Sequence, residues 1–222
     1  LSLLGPTPTP SPALDATAAP TGAGITFDST PATDAGTIYA DDFSDPARGW
    51  DLWSSAEYTS GYENGALHIK VTQGDSFAWS VSNAGQSFRD VRIDVDATFV
   101  AGQADQASYG ILARYVDRDN SYSFEISGDG YYMVSKQEAG EITLLVEWTE
   151  SPHIRQGQAT NRLSVVCVGD MLSFFVNDQE VARVADSDFA AGDIGFVVSK
   201  YSEAGAETVD VAFDNLQVWA AQ

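Results

Sequence analysis

Residues 161–186 read NRLSVVCVGDMLSFFVNDQEVARVAD, and this stretch contains the clearest turn signals of the sequence. It contains three apolar runs, LSVVCV, LSFFV and VARVA, separated by the pairs Gly169-Asp170 and Asn177-Asp178. Gly, Asn and Asp tolerate the positive φ angles that two-residue hairpin turns demand. The stretch therefore predicts a three-stranded antiparallel meander. The lone cysteine, Cys167, lies inside its first strand, where we expect it to be a small buried hydrophobe.

Short apolar runs separated by turn residues also occur on both sides of the meander. From about Gly36 onward, short runs rich in Val, Ile, Phe and Tyr follow one another at intervals of about a dozen residues, with turn residues between them. In VRIDVDATF (91–99) every second residue is apolar, which puts Asp94 and Asp96 on an outward, solvated face. No segment shows sustained helical periodicity. We predict an all-β domain over residues 36–222, built as an antiparallel two-sheet β-sandwich.

One hairpin is predicted in the stretch YGILARYVDRDNSYSFEIS (109–127). A turn centred near Asp119-Asn120 would pair Ala113 with Ile126 on one face of the two strands. It would place Arg114 opposite Glu125 on the other face.

The order of several motifs resembles laminin-G-like or concanavalin-like jelly rolls, and most closely the bacterial domains of the 3-keto-disaccharide hydrolase type. The motifs are FSDPARGW, YENGALHIKV, YGILARYVDRDNSYSFEIS, GYYMVSK, the meander, GDIGFVVS and VAFDNLQVW. The most specific positions are Asn161, Leu163, Gly169, Phe175, Asn177, Asp186, Gly192, Gly195 and the terminal FDNLQV. The resemblance implies a jelly roll whose first and last strands lie together. Lectins, glucanases and adhesion modules share this fold, so the resemblance does not assign an activity.

Residues 1–35 differ from the rest, because six of the eight prolines fall within the first 31 residues among Thr, Ser, Ala and Gly. This composition predicts an extended arm, which at ~3.1 Å per residue reaches roughly 100 Å, against a body about 40 Å across. Apolar residues flank the proline run, and we expect them to dock on neighbouring copies, by strand addition, to build a surface fibre or layer. These anchors are Leu1, Leu3, Leu4, Ile25 and Phe27.

The charge balance restricts the partners. The chain has 32 acidic and 11 basic residues and a formal net charge of −21, which disfavours nucleic acid and anionic membranes. No apolar run approaches the ~18 residues of a membrane span. The sequence begins with Leu, so either an export signal has been removed or the numbering starts inside a longer protein. We expect an extracellular or cell-surface location.

The alternative to an assembly subunit is a carbohydrate-binding module. Arg114, Glu125 and Lys136 would form a polar ladder on three adjacent strands, and nearby aromatic rings would stack on sugars. The candidate rings are Tyr132 and Trp148, together with Trp53 and Trp79. The same residues also fit ordinary cross-strand ion pairs and core aromatics.

Catalysis is not expected. A glycosidase needs two carboxylates flanking the scissile bond, whereas the strand IDVDATF supplies Asp94 and Asp96 without a glutamate. His68 and His153 lie in no nucleophile–base motif. We predict a protein without hydrolase activity.

A structural calcium ion is the one cofactor that the sequence suggests. Hard cations bind several oxygen ligands drawn from different strands. Pairing of the first and last strands, which the resemblance implies, would bring Asp41 and Asp42 close to Asp214. Thermal unfolding with and without a chelator tests this hypothesis, because an unchanged midpoint would contradict it.

Overall fold

The computed structural model describes residues 36–82, 85, 87–201 and 207–221, and it gives them an almost entirely β architecture. The described residues form fourteen strands. They are β1 (Thr37–Asp41), β2 (Tyr58–Glu63), β3 (Ala66–Val71), β4 (Ser76–Val81), β5 (Val91–Ala101), β6 (Ala107–Asp117), β7 (Asn120–Ser127), β8 (Tyr131–Glu138), β9 (Glu141–Glu150), β10 (Thr160–Val168), β11 (Met171–Val176), β12 (Gln179–Ala185), β13 (Asp193–Lys200) and β14 (Val209–Ala220). Single 3-10 turns occupy Pro46–Arg48 and Ala104–Gln106. The part of the chain that is described contains no helix able to cross a lipid bilayer.

The strands form two antiparallel sheets. The eight-stranded sheet has the order β12-β11-β10-β5-β14-β3-β2, and β1 pairs with the second half of β14. The six-stranded sheet has the order β4-β13-β6-β7-β8-β9. The first and last strands pair, as the resemblance implied, with Asp41 opposite Leu216. The prediction of an all-β jelly-roll sandwich is confirmed.

The meander is formed as the sequence predicted. β10 and β11 are joined at Val168 and Met171, and β11 and β12 at Val176 and Gln179. Each junction leaves two turn residues. Gly169 has a φ of 57°, and the Asn177-Asp178 pair has φ angles of 50° and 65°. Turn chemistry therefore fixes this part of the fold locally.

Alternating apolar residues of both sheets fill the core between them. The five alternating apolar residues from Val91 to Phe99 are buried, as predicted. Phe213 of the eight-stranded sheet stacks on Phe196 of the six-stranded sheet, with ring centroids 4.3 Å apart and planes 6° apart. Trp50 stacks on Phe196 at 4.9 Å. Cys167 is also buried, and burial raises the pKa of its thiol to about 12, so it is an inert core residue.

Two asparagines of the meander hold the loop that follows β9. Asn161 is fully buried, and its Oδ1 accepts hydrogen bonds from the Arg155 amide at 2.9 Å and from Asn177 Nδ2 at 2.8 Å. Asn161 Nδ2 donates to the Arg155 carbonyl, and Asn177 Nδ2 donates to the His153 carbonyl. The loop thereby gains partners for backbone groups that strand pairing does not satisfy. These motif residues have an architectural role.

The predicted register of the β6–β7 hairpin is wrong by four residues. Ala113 lies opposite Tyr122 rather than Ile126, and Glu125 lies opposite Gly110 rather than Arg114. Two residues of the error arise because the turn is centred on Arg118-Asp119, with Asp117 opposite Asn120. The other two arise because the register shifts at a bulge in β6 between Ala113 and Asp117.

Arg114 lies in this bulge with a φ of 50°, and its side chain is turned away from the outer face of the sheet. The buried guanidinium donates to three carbonyl oxygens, those of Arg89 at 3.1 Å, Gly169 at 2.8 Å and Phe189 at 2.9 Å. Gly192 packs so closely on the Arg114 backbone that it has no room for a Cβ atom. Arg114 therefore joins three loops at one end of the sandwich.

Candidate functional site

A groove of about 460 Å³ lies on the outer face of the six-stranded sheet, and all six strands or their immediate ends contribute to it. Its floor carries short polar side chains, including the hydroxyls of Ser123, Ser135 and Ser199, beside the apolar Leu112 and Met133. Bulky apolar side chains stand around this floor. They are Phe77, Trp79, Ile142, Leu144, Trp148 and Tyr201.

The floor carries short side chains because β7 alternates large and small residues. Its large apolar side chains point into the core, whereas Ser121, Ser123 and Glu125 point into the groove. Gly110 faces Glu125 from the neighbouring strand, and a Cβ atom there would lie 2.8 Å from the Glu125 Cα and closer still to the Phe124 carbonyl oxygen. Only glycine fits at this position, which leaves bare backbone beside the carboxylate.

Glu125 is the buried carboxylate of the groove. Ser108 Oγ donates a hydrogen bond to its Oε2, and Ser123 Oγ donates one to its Oε1 at 2.6 Å. Burial raises the pKa of Glu125 above its ordinary value, and these two hydrogen bonds oppose the shift only in part. Among the ion pairs of the described residues, none includes Glu125.

Two aromatic rings meet over one side of the groove. Trp148 comes from β9 at the sheet edge, and Tyr201 directly follows β13, which lies on the other side of β6, β7 and β8. Their centroids are 6.2 Å apart and the planes make an angle of 84°, an edge-to-face contact. Tyr201 Oη lies 2.6 Å from Ser108 Oγ, and burial, with Glu125 nearby, raises the pKa of the phenol.

The structure brings together some of the predicted ligand-binding residues. Glu125 and Trp148 line the groove, as does Trp79. Tyr132 instead packs against the core, and Lys136 forms an ion pair with Asp186 at 3.3 Å. The predicted ladder of Arg114, Glu125 and Lys136 is not formed, because Arg114 is buried at one end of the sandwich.

The sequence reasoning missed two groove residues, Ser123 and Tyr201, and the buried Ser108 that contacts both Glu125 and Tyr201. The alternation in SYSFEIS would have placed Ser123 beside Glu125 on one face. Ser108 and Tyr201 are 93 residues apart in the chain, and only the pairing of β6 with β13 brings them together.

The outer face of the eight-stranded sheet differs in character, because its charges are paired. Asp94 accepts hydrogen bonds from Arg92 Nε at 2.8 Å and Arg162 Nη2 at 2.9 Å, and it is only 2% exposed. The expectation of a solvated aspartate is therefore wrong at this position, since two guanidinium groups cover it. His68 Nδ1 lies 2.8 Å from Asp210 Oδ1 on the same face.

The acidic residues considered for calcium bind donors of the protein itself. Asp41 is buried and accepts from the Phe43 amide at 2.9 Å and from Trp50 Nε1 at 3.0 Å. Asp42 and Asp214 accept from nearby backbone amides. Within the described ranges, no three His, Cys, Asp or Glu side chains are grouped so that they could hold a metal ion. Structural calcium stays a prediction.

The proposed assembly arm lies outside the described residues, and so do its anchors Leu1, Leu3, Leu4, Ile25 and Phe27. Neither the described residues nor the comparisons with known proteins support assembly through this arm.

Solved structures confirm the fold. The carbohydrate-binding module CBM66 from Bacillus subtilis superposes with a TM-score of 0.62 at 19% identity, covering 78% of this chain and 96% of that chain. A galectin-like protein of unknown function from Bacillus subtilis gives 0.59 at 10% identity, with 85% and 99% covered. The catalytic domain of an endo-1,3-beta-glucanase (laminarinase) from Thermotoga petrophila also gives 0.59, at 9% identity, with 85% and 99% covered. At such identities these similarities establish a shared fold alone.

Sequence comparison is more specific about the family than about the function. No curated protein matches the sequence. The model of the 3-keto-alpha-glucoside-1,2-lyase-like domain matches residues 42–218, which is most of the chain and nearly all of the sandwich. The chain belongs to the family of 3-keto-alpha-glucoside-1,2-lyase-like domains.

Proposed function

We propose that this chain is a carbohydrate-binding domain that acts outside the cell and holds its ligand in the groove of the six-stranded sheet. The observation that carries the proposal is the combination of aromatic walls with a floor of hydroxyl groups and one buried carboxylate. A sugar ring has an apolar face of C–H groups and a rim of hydroxyls. Aromatic side chains match the first, and convergent polar groups match the second.

The charge of the whole chain favours neutral sugars. Its formal net charge is −21, so uronic acids and sulfated sugars would be repelled as they approach. Within the groove, the carboxylates of Glu125 and Asp75 are balanced by two basic residues. Arg118 forms an ion pair with Asp119 at 3.3 Å, and Lys200 donates to the backbone carbonyls of Thr72 and Glu207.

Binding without hydrolysis fits the positions of the two carboxylates. Glu125 lies on β7, whereas Asp75 precedes β4, and β13 and β6 lie between these strands. Three strand spacings separate the two backbones by roughly 14 Å. The two side chains would therefore have to extend toward each other to reach the distance of about 5–9.5 Å between the carboxyl groups of glycosidases. CBM66 from Bacillus subtilis, which has the same fold, supports binding as the function.

Calorimetric titration with a panel of soluble polysaccharides tests the proposal. The panel contains laminarin and mixed-linkage β-glucan as neutral probes and polygalacturonate as the anionic probe. We expect a neutral probe to bind and Trp148→Ala to weaken this binding at least tenfold, because the largest exposed ring of the groove is lost. Trp219→Ala on the opposite sheet is the matched control and should leave the affinity unchanged. Binding that survives Trp148→Ala, or release of reducing sugar from a bound probe, would contradict the proposal.

A further inference from the structure

A continuous chain of hydrogen bonds connects the buried carboxylate of the groove to its surface. Ser108 Oγ lies between Glu125 Oε2, to which it donates, and Tyr201 Oη at 2.6 Å. Glu125 is 5% exposed, whereas Tyr201, which also lines the groove, is 44% exposed. The interior carboxylate can therefore influence the phenol that a ligand meets.

The direction of each hydrogen bond follows from the number of protons available. An ionised carboxylate only accepts, so the single hydroxyl proton of Ser108 points to Glu125. Ser108 must then accept from Tyr201, whose own proton is used in this bond. In this state the Tyr201 oxygen, which also has the Ser199 hydroxyl as a partner, offers no proton to a ligand, and it selects a ligand group that donates.

Protonation of Glu125 on Oε2, the oxygen that faces Ser108, reverses this chain, whereas Oε1 faces Ser123. A proton on Oε2 donates to Ser108, the Ser108 proton then turns to Tyr201, and the Tyr201 proton turns to the groove. Tyr201 now donates to a ligand oxygen. Burial raises the pKa of Glu125, and the raised pKa of Tyr201 keeps the phenol protonated over the same range. The reversal therefore occurs at a higher pH than the titration of an ordinary carboxyl group.

Other titratable groups of the groove lie on different strands and do not neutralise this carboxylate. Asp75, Tyr115, Arg118 and Lys200 line the groove, and none of them forms an ion pair or a hydrogen bond with Glu125 in the part of the chain that is described. The neighbouring strands β6 and β8 present uncharged side chains to Glu125, since Gly110 and Met133 lie directly opposite it. Its titration is therefore set mainly by its burial and its two serine partners.

We propose that Tyr201 selects a hydroxyl group of the ligand, and that Glu125, acting through Ser108, sets whether Tyr201 accepts or donates that hydrogen bond. This inference rests on the proposed carbohydrate binding. It makes Tyr201 the specificity-determining residue of the groove and Glu125 a positioning residue. Trp148 contributes by holding the phenol through its edge-to-face contact.

The first test needs no ligand. The intensity ratio of the tyrosine Fermi doublet in Raman spectra reports whether a phenol oxygen donates or accepts, and subtracting the Tyr201→Phe spectrum isolates Tyr201. We expect the ratio to shift between about pH 4 and about pH 9. The pH dependence of the Raman ratio should match that of the infrared band of the Glu125 carboxyl group, which is identified by its absence in Glu125→Gln. The Raman shift should be lost in Glu125→Gln. It should also be lost in Ser108→Ala, although Glu125 still titrates in that variant. A ratio that does not change with pH in the unaltered protein, or a shift that survives both variants, overturns the inference.

The second test uses methyl β-glucoside and each of its mono-O-methyl derivatives, with binding measured by saturation-transfer NMR. An ether accepts but cannot donate. At one ring position we expect methylation to weaken binding about tenfold while Glu125 is ionised. This penalty should largely disappear once Glu125 is protonated. In Ser108→Ala the penalty of methylation should no longer depend on pH. If the penalty in the unaltered protein is independent of pH at every ring position, the inference is overturned. Failure of every sugar to bind instead refutes the proposed function, while the Raman experiment still decides whether the relay exists.

Discussion

The two outer faces of this sandwich differ in the partners of their buried carboxylates. On the eight-stranded sheet, Asp94 is covered by two arginines, and Lys70 lies 2.7 Å from Glu63. On the six-stranded sheet, Glu125 is buried among serine hydroxyls beside aromatic rings, and it has no ion-pair partner among the described residues. Charges that are paired internally leave little for a ligand to satisfy, whereas an unpaired carboxylate in a groove retains acceptor capacity. The difference separates a structural face from the proposed binding face.

Removing the central anion of the paired face should have the largest effect on stability. In Asp94→Ala, the side chains of Arg92 and Arg162 lose their shared partner, and we expect the free energy of unfolding to fall by about 4 kcal/mol. Urea denaturation measures this change. Asp96→Ala is the matched control, since Asp96 is 30% exposed and lies 3.7 Å from Arg162, and it should cost about 0.5 kcal/mol. Equal losses in the two variants would show that Asp94 is not the centre of the network.

Filling the space at Gly110, beside Glu125 on the proposed binding face, should have the next largest effect. In Gly110→Ala the new methyl group collides with the backbone of β7, and we expect a loss of about 2–3 kcal/mol in urea denaturation. Gly61→Ala in β2 is the control, because nothing lies within 4 Å of its added Cβ atom and its effect should stay within about 0.5 kcal/mol. A tolerated Gly110→Ala would mean that the two strands separate easily beneath the groove.

The unpaired carboxylate predicts a pH dependence of stability. Because the pKa of Glu125 is raised on folding, the folded state keeps a proton that the unfolded state has already lost. Stability from this group is fully present below the unfolded pKa and is lost as pH rises through the folded pKa. We expect the melting temperature of the unaltered protein to fall relative to that of Glu125→Gln across this window. A difference that stays constant with pH would contradict the assigned burial.

The smallest effect is expected for an exposed ion pair of the structural face. Lys70 and Glu63 have side chains 28% and 48% exposed, so Glu63→Gln should change the free energy of unfolding by at most about 0.5 kcal/mol. The change should vanish in high salt, where screening removes the attraction. A larger or salt-independent change would show that this face also depends on its outermost charges.

Local chemistry explains which features were predictable from the sequence. The two turns of the meander and the inward residues of β5 follow from neighbouring residues, so they could be predicted without the tertiary structure. The β6–β7 register could not be predicted in this way, because Arg114 at positive φ lies in a bulge that no local sequence pattern indicates. The acceptors that stabilise this conformation lie 25 to 75 residues away in the chain.

The groove was predictable only in part for the same reason. Glu125 and Trp148 stood out as a carboxylate and an aromatic residue on strands, but their relation depends on the order of the strands in the sheet. Ser108 and Tyr201 meet because β6 pairs with β13, an interaction between distant parts of the chain. Serine is common on exposed strands, so nothing in the sequence alone marks Ser108 as the link.

The three carbonyl contacts of Arg114 have a consequence for how the molecule opens. Its acceptors belong to the segment before β5, the β10–β11 turn and the segment before β13. Loss of any one of them leaves a buried guanidinium short of a partner, which penalises partial opening of that end. The amides of these three segments should therefore exchange their hydrogens at similar rates, as one cooperative unit, although they are far apart in the chain.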